Sequence, residues 1–266
     1  MTTVGRSFAQ FLALPYPLVD EDVLRELLSY DVRCRASFPL KKLPGGRIVA
    51  DNLIDAGDGK SEYLLPSPLH WSRQVEWPWC IEQADLQSHH RCLDVGSGWS
   101  VLKYAVAKRS GDVVCLDNDP DSMQKATEAT RRIGAANVSH VEGDARSLPL
   151  PDETFDRVFC VSVLEHLPGD DVSKALSELI RVLKPGGVLL LTFDVVMIGP
   201  VCLGHMEIDV DGLGSVLTAL DITDVREVSR VYGSNLPQGT GKNGIYSVVL
   251  MKWIKQSGGH NDLGEC

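Results

Sequence analysis

The sequence predicts an α/β protein: a doubly wound, mostly parallel sheet of seven strands, with an N-terminal cap segment. Three observations carry this. From Arg91 onward, short apolar runs alternate with amphipathic stretches of helical length. The runs are apolar throughout, as strands covered on both faces require. The first of them, Arg91-Cys92-Leu93-Asp94-Val95, enters Gly96-Ser97-Gly98 and then a helix. A strand, a glycine turn and a helix together bring bare backbone up to a small polar ligand.

The elements follow in order. Asp20 to Tyr30 reads as an amphipathic helix, capped by Asp20 or Asp22 and striped by Val23, Leu24, Leu27 and Leu28. Arg47 to Ile54 reads as a strand between two glycine turns. Trp71, Trp77 and Trp79, three of the five tryptophans, then fall within nine residues. Pro78 fits a first helical turn, which predicts a helix over 79–86; Trp77 and Trp79 are expected to be packing anchors. Beyond Leu93 to Val95, strands are predicted at 113–116, 138–142, 158–161 and 188–193. Helices are predicted at 101–107, 121–133 and 172–183, the last stopped at Lys184-Pro185-Gly186-Gly187. A helix at 213–220 and two strands, 225–231 and 246–253, form an antiparallel finish to the sheet. The expected division is a cap or lid over 1–88, a ligand-binding domain over 89–256 and a disordered tail over 257–266.

Composition narrows the partner. The chain has 266 residues and a formal charge of −10, and its basic residues form no stripe. Nucleic acid is therefore disfavoured and a small molecule expected. No apolar run reaches the roughly 20 residues that span a bilayer, and the stretch from Phe8 to Val19 is broken by Pro15 and Pro17. No membrane partner and no signal peptide are expected. The seven cysteines include no CxxC, and Cys92, Cys115 and Cys160 fall inside apolar strands. That is the usage of a reduced, cytoplasmic protein.

Polar residues gather at the carboxyl ends of successive strands. Asp94 and Gly96-Ser97-Gly98 follow the first, Asp117 and Asn118 the second, Asp144 and Ala145 the third, and Ser162 with Glu165-His166 the fourth. They should line one crevice. A carboxylate in the position of Asp117 can accept both hydroxyls of a ribose. Asp144 can accept from an adenine amino group, and the Ala145 backbone can donate to the ring. Asp94 and the glycine turn then face the other end of the ligand, where acceptors suit an ammonium. Val101 stands where a dinucleotide fingerprint has its third glycine, and no basic residue follows the turn. Both features point away from a pyrophosphate and towards a nucleoside with a cationic tail.

Taken together, Leu93-Asp94-Val95-Gly96-Ser97-Gly98, Leu116-Asp117, Gly143-Asp144-Ala145, the run from Leu148 to Asp156, Ser162-Val163-Leu164-Glu165-His166 and the run from Arg181 to Gly187 resemble the class I S-adenosylmethionine-dependent methyltransferases. The branch most resembled contains the quinone and small-molecule methyltransferases. The resemblance covers about residues 89 to 195. It implies a Rossmann-like methyltransferase fold with S-adenosyl-L-methionine as cofactor: Asp117 at the ribose, Asp144 and Ala145 at the adenine, Asp94, Gly96 and Gly98 at the methionine end. Ser97, Asn118 and Ser162 join this set, and Arg73 is expected to reach the ligand from above, where its guanidinium could hold a carboxylate. One departure stands out: Trp99-Ser100 replaces the glycine common after the second turn glycine.

The resemblance also implies a small-molecule methyl acceptor, with oxygen the expected acceptor atom and carbon or nitrogen, on a small molecule or a peptide, the alternatives. His166 and His205 are the base candidates, though Glu-His is common at this strand end and His166 has an anchoring role as its plainer reading. No metal is expected, because Ser162 stands where some relatives carry a ligating Glu. Two readings of other classes are an NAD-dependent oxidoreductase, opposed by the missing glycine and by Asp144, and a cofactor-binding protein that transfers no methyl group.

Overall fold

The computed structural model describes residues 20–36, 40–42, 48–50, 72–98, 100–198, 210–220, 231–233, 239–241 and 244–256. The predicted tail, Trp71, Trp99, His205 and most of the predicted strand 225–231 lie outside these residues.

Helix α1 (Glu21–Ala36) comes first, followed by the short antiparallel pair β1 (Leu40–Lys42) and β2 (Ile48–Ala50). Asp20 caps α1, its Oδ1 accepting from the Asp22 and Val23 amides at 2.8 and 3.2 Å. Helix α2 (Arg73–Gln83) leads to β3 (Arg91–Val95), α3 (Leu102–Ala107), β4 (Asp112–Asp117), α4 (Pro120–Ile133), β5 (Val138–Glu142) and β6 (Phe155–Val161). A short 3-10 turn (Leu164–His166), α5 (Gly169–Val182), β7 (Leu183–Ile198), α6 (Val210–Ala219), β8 (Val231–Gly233), β9 (Gly239–Gly241) and β10 (Gly244–Ile254) complete the order.

The sheet runs β5-β4-β3-β6-β7-β10-β8, seven strands along one path, with β9 paired to β10 beside it. Strands β3 to β7 pair in parallel. Strand β10 runs antiparallel to β7, and β8 antiparallel to β10, which is the antiparallel finish the sequence predicts. The order reverses at β3, which has β4 on one side and β6 on the other. Ligands of such sheets bind at the carboxyl ends of the strands at this point.

Alternate strand residues feed two cores. Leu93, Val95, Val114, Leu116, Val158 and Cys160 face α5 and α6. Cys92, Val113, Cys115, Phe159 and Leu190 face the other way, onto α1, α2 and α3. Val23, Leu27, Trp77, Trp79 and Ile81 belong to this second core, so helices from before residue 89 cover one face of the sheet itself.

Helix α2 departs from expectation. It starts at Arg73, six residues before the predicted start at Trp79, and carries Pro78 in its interior. An internal proline costs roughly 3 kcal/mol. Burying a large apolar side chain returns about 1.5–3 kcal/mol, and Trp77, Trp79, Cys80 and Ile81 are all buried here. Packing outweighs the broken hydrogen bond. Helix α5 begins at Gly169, three residues ahead of the predicted 172, and ends at Val182 as β7 starts. Among the described residues no helix is long and apolar enough to cross a membrane.

Candidate active site

The turn after β3 is built from two glycines at positive φ, Gly96 at 66° and Gly98 at 33°. A Cβ on Gly96 would run into the Val163 side chain, so the turn can lie against β6 only as glycine. The Ser97 amide donates to the Leu116 carbonyl at 3.0 Å and ties the turn to β4.

Asp117 closes β4 with both carboxylate oxygens held by backbone. Oδ2 accepts from the Gly98 amide at 2.9 Å and Oδ1 from the Asp119 amide at 3.0 Å. Each oxygen keeps a second lone pair, so the carboxylate is fixed in place with accepting capacity to spare. Asp119, not Asp117, caps α4: its side chain accepts from the Asp121 amide at 3.1 Å and the Ser122 hydroxyl at 2.6 Å.

These groups border a cleft of about 270 Å³. Val95 and Gly96 line it from β3, Leu116, Asp117 and Asn118 from β4, Gly143, Asp144 and Ala145 from β5, and Ser162, Val163, His166 and Leu167 from β6 and the turn beyond. Seven sequence-predicted residues thus meet at one surface: Gly96, Asp117, Asn118, Asp144, Ala145, Ser162 and His166. Asp144 is gripped by the Arg146 guanidinium, with contacts of 2.6 to 3.1 Å, and Arg146 reaches on to Asp171 at 2.6 Å. Hydrogen bonding to Arg146 holds the Asp144 carboxyl below the usual carboxylate range, and so keeps it an acceptor.

Asp94, Ser97, Gly98 and Arg73 do not line the cleft. Asp94 and Ser97 lie beneath the turn, 2% and 1% exposed. Asp94 Oδ2 has no hydrogen-bond partner among the described residues. Burial pushes the Asp94 carboxyl up to about 7, with Lys103 pulling it down and Asp117 pushing it further up. Gly98 supplies its amide to Asp117. Arg73 turns inward: it does hold a carboxylate, as expected of its guanidinium, but that carboxylate is Glu76 of the same helix, 2.6 Å away.

Arg73 opens a second cluster, which the sequence did not reveal. Glu76 is fully buried. Its Oε1 accepts from Ser162 Oγ at 2.9 Å and Thr192 Oγ1 at 2.5 Å, while Oε2 takes Arg73. Arg73 also hydrogen-bonds Ser162 Oγ. Ser162 sits at φ 51°, a left-handed conformation that costs a non-glycine residue roughly 1–2 kcal/mol. Its hydroxyl and its amide, which donates to Thr192 O at 2.8 Å, hold it there. Glu165 is 1% exposed, and its Oε2 has no hydrogen-bond partner among the described residues. Burial and the neighbouring Asp194 push Glu165 well above the ordinary range, and burial with Glu76 nearby pushes Asp194 up to about 7. Carboxyls that titrate near neutrality can hold and release protons. Glu76 was visible in the sequence beside the tryptophans. Its partners are 86 and 116 residues away, and no local pattern links them.

Among the described residues no group of three or more His, Cys, Asp or Glu is placed to hold a metal ion.

Residues 93–191 match the family described as the methyltransferase domain. The chain is 36% identical over 138 residues to the 2-methyl-6-phytyl-1,4-hydroquinone methyltransferase 2 of rice chloroplasts, an overlap of 51% of this chain and 36% of the relative. It is 34% identical over 134 residues to the ubiquinone/menaquinone biosynthesis C-methyltransferase of Pasteurella multocida, covering 48% and 47% of the two chains. The chain thus spans about a third to a half of the length of these relatives. Among solved structures, the [4+2]-cyclase SpnF superposes with a TM-score of 0.54 at 18% identity over 92% of this chain and 99% of its own. That likeness concerns fold alone. A fold hosts more than one reaction, so function has to be argued from the site.

Proposed function

Residues 93–191 carry a class I S-adenosylmethionine-dependent methyltransferase domain, and from that premise we propose that the protein transfers the methyl group of S-adenosyl-L-methionine to a small molecule. The observation that carries the reading is the cleft at the β3/β6 reversal, where Asp117 is anchored by two backbone amides with lone pairs to spare. The residues fit the cofactor. The Gly96 turn offers an approach that a Cβ would fill, and the unpartnered Asp94 Oδ2 suits an ammonium at the methionine end.

In this reading Asp117 accepts the ribose hydroxyls, Asp144 and Ala145 meet the adenine, and Gly96 allows close approach beside Val163. The cofactor supplies an electrophilic methyl group. The chain's tasks are then to align the acceptor and to take up the proton it loses. His166, exposed at the rim of the cleft, and Asp194, poised near neutrality, are the groups assigned to the proton. The segment 1–88 is assigned the acceptor side, because Arg73 and Glu76 bond to Ser162 at the cleft wall. The sequence favours an oxygen acceptor. The Pasteurella relative is named a C-methyltransferase, and an activated ring carbon, as in a hydroquinone, is the first acceptor to test. The buried free thiols Cys80, Cys92, Cys115 and Cys160 fit a reducing, cytoplasmic setting.

Titration calorimetry with S-adenosylhomocysteine tests the cofactor assignment. Binding to the wild-type chain, strongly weakened in Asp117→Ala, supports it. Binding of NADH instead, or an Asp117→Ala variant of unchanged affinity, would sink it.

A further inference from the structure

Lys103 lies on α3, directly behind the glycine turn, and is 1% exposed. Lysine is almost never fully buried without a partner. Here Nζ donates to the Gly98 carbonyl at 2.8 Å. Gly98 is therefore held from both sides: its carbonyl by Lys103 and its amide by Asp117 Oδ2 at 2.9 Å. The turn that lacks its customary third glycine is locked by a charged side chain from below. Asp94 lies in the same buried layer; its Oδ2 has no hydrogen-bond partner among the described residues, and Lys103 makes no ion pair with it.

We propose that Lys103 is a positioning residue for the cofactor: its buried ammonium clamps Gly98 and supplies the positive charge that readies Asp94 to receive the ammonium of the cofactor's amino-acid end. The inference rests on the reading that this turn receives S-adenosylmethionine.

The charges around Asp94 support it. The ionisable groups that act on it or feel it are Lys103 from α3, Asp117 from β4, and the thiols Cys80, Cys115 and Cys160 from α2, β4 and β6. Burial pushes those thiols well up, which leaves them neutral at pH 7. Lys103 is then the one cation among these groups. With Asp94 pushed up to about 7, the free protein divides between the ionised and protonated forms at neutral pH. A cation at Oδ2 selects the ionised form, so binding releases a proton.

The test needs no methyl acceptor. S-adenosylhomocysteine is titrated into the wild-type protein by calorimetry from pH 6 to 9, in buffers of differing ionisation heat. The expected result is release of about half a proton at pH 7. Affinity should fall by up to about tenfold per pH unit below 7 and level off above it. Lys103→Met should move the midpoint of that profile upward by about one unit and weaken binding about fivefold at pH 7. Lys103→Gln, which keeps a donor for Gly98 and lacks the charge, should move the midpoint while retaining more of the affinity at pH 9. Asp94→Asn should flatten the profile in each background. A merely structural lysine would lower stability and leave the midpoint in place. Wild-type binding without proton release, or a folded Lys103→Met protein with the wild-type midpoint, overturns the inference alone. Absence of binding in the wild type at every pH overturns the cofactor reading as well. If neither variant folds, Lys103→Arg, which keeps the charge, should retain the wild-type midpoint, and a shifted midpoint in that variant overturns the inference.

Discussion

The two halves of the cleft are built on different principles. On the β3–β5 side, Asp117 is fixed by amides close to it in sequence: 19 residues away at Gly98 and two at Asp119. On the β6–β7 side, Glu76 gathers Arg73, Ser162 and Thr192 from three elements, and Glu165 and Asp194 crowd the same region with further carboxyls. The first half uses backbone geometry and needs few charges. The second buries an ion pair and holds a serine at positive φ. Backbone donors give a preformed cradle for a constant ligand. A charged, strained cluster gives groups that can change protonation as an acceptor arrives.

Substitutions can break this contrast. The largest effect on folding is expected at Glu76. Glu76→Ala takes the buried acceptor from Arg73, Ser162 and Thr192 together, and should cost about 3 kcal/mol of stability in denaturant titration. A loss below about 1 kcal/mol would mean that the cluster adds little to the fold. On the opposite half the effect should fall on binding. Asp117→Ala should cost S-adenosylhomocysteine roughly a hundredfold in affinity, since charge-assisted hydrogen bonds contribute about 1.5–3 kcal/mol each. Its thermal midpoint should move little by comparison, and a large fall with unchanged affinity would reverse the assignment of the two halves.

The pH dependence of stability sharpens the same comparison. Asp94 and Asp194 hold their protons to about pH 7 in the folded chain, and burial holds the Glu165 carboxyl well above the usual carboxylate range. The unfolded chain gives them up near pH 4. Stability is therefore lost as pH rises towards 7. His140, which burial keeps neutral down to about pH 4, acts in the opposite sense below pH 6.5, as one group against three. The thermal midpoint of the ligand-free protein should fall between pH 6 and pH 8 by roughly 4–8 °C. A midpoint that rises over this interval would show that the buried carboxyls are ionised in the folded state. The smallest effect is reserved for Ser162. Ser162→Gly loses the hydroxyl and relieves the positive φ, whereas Ser162→Ala loses the hydroxyl and keeps the strain. The glycine variant should be the more stable by about 1 kcal/mol, and equal stabilities would remove strain from the account of this wall.

The sequence was most legible where the chain acts locally. The alternation from Arg91 onward placed the five parallel strands. Asp117 and the Gly96 turn could be read because their partners are neighbours in the strand–turn–helix unit. Helix α2 was misread at its start because Pro78 marks a first turn by local rules. The burial of the tryptophans, which overrides those rules, is a tertiary fact. Arg73 was read as a ligand contact because nothing in the local sequence reveals that Glu76 turns the same way.

By itself, then, the sequence determined the doubly wound sheet, the place of the cleft and seven of the residues that line it, because apolar periodicity and turn chemistry act over a few residues. Only the tertiary structure decided that Arg73 pairs with Glu76, that Asp194 comes close to the buried Glu165, and that Lys103 stands beneath the glycine turn. Those relations rest on desolvation and on charges brought together from distant parts of the chain, and both arise only when the chain is folded.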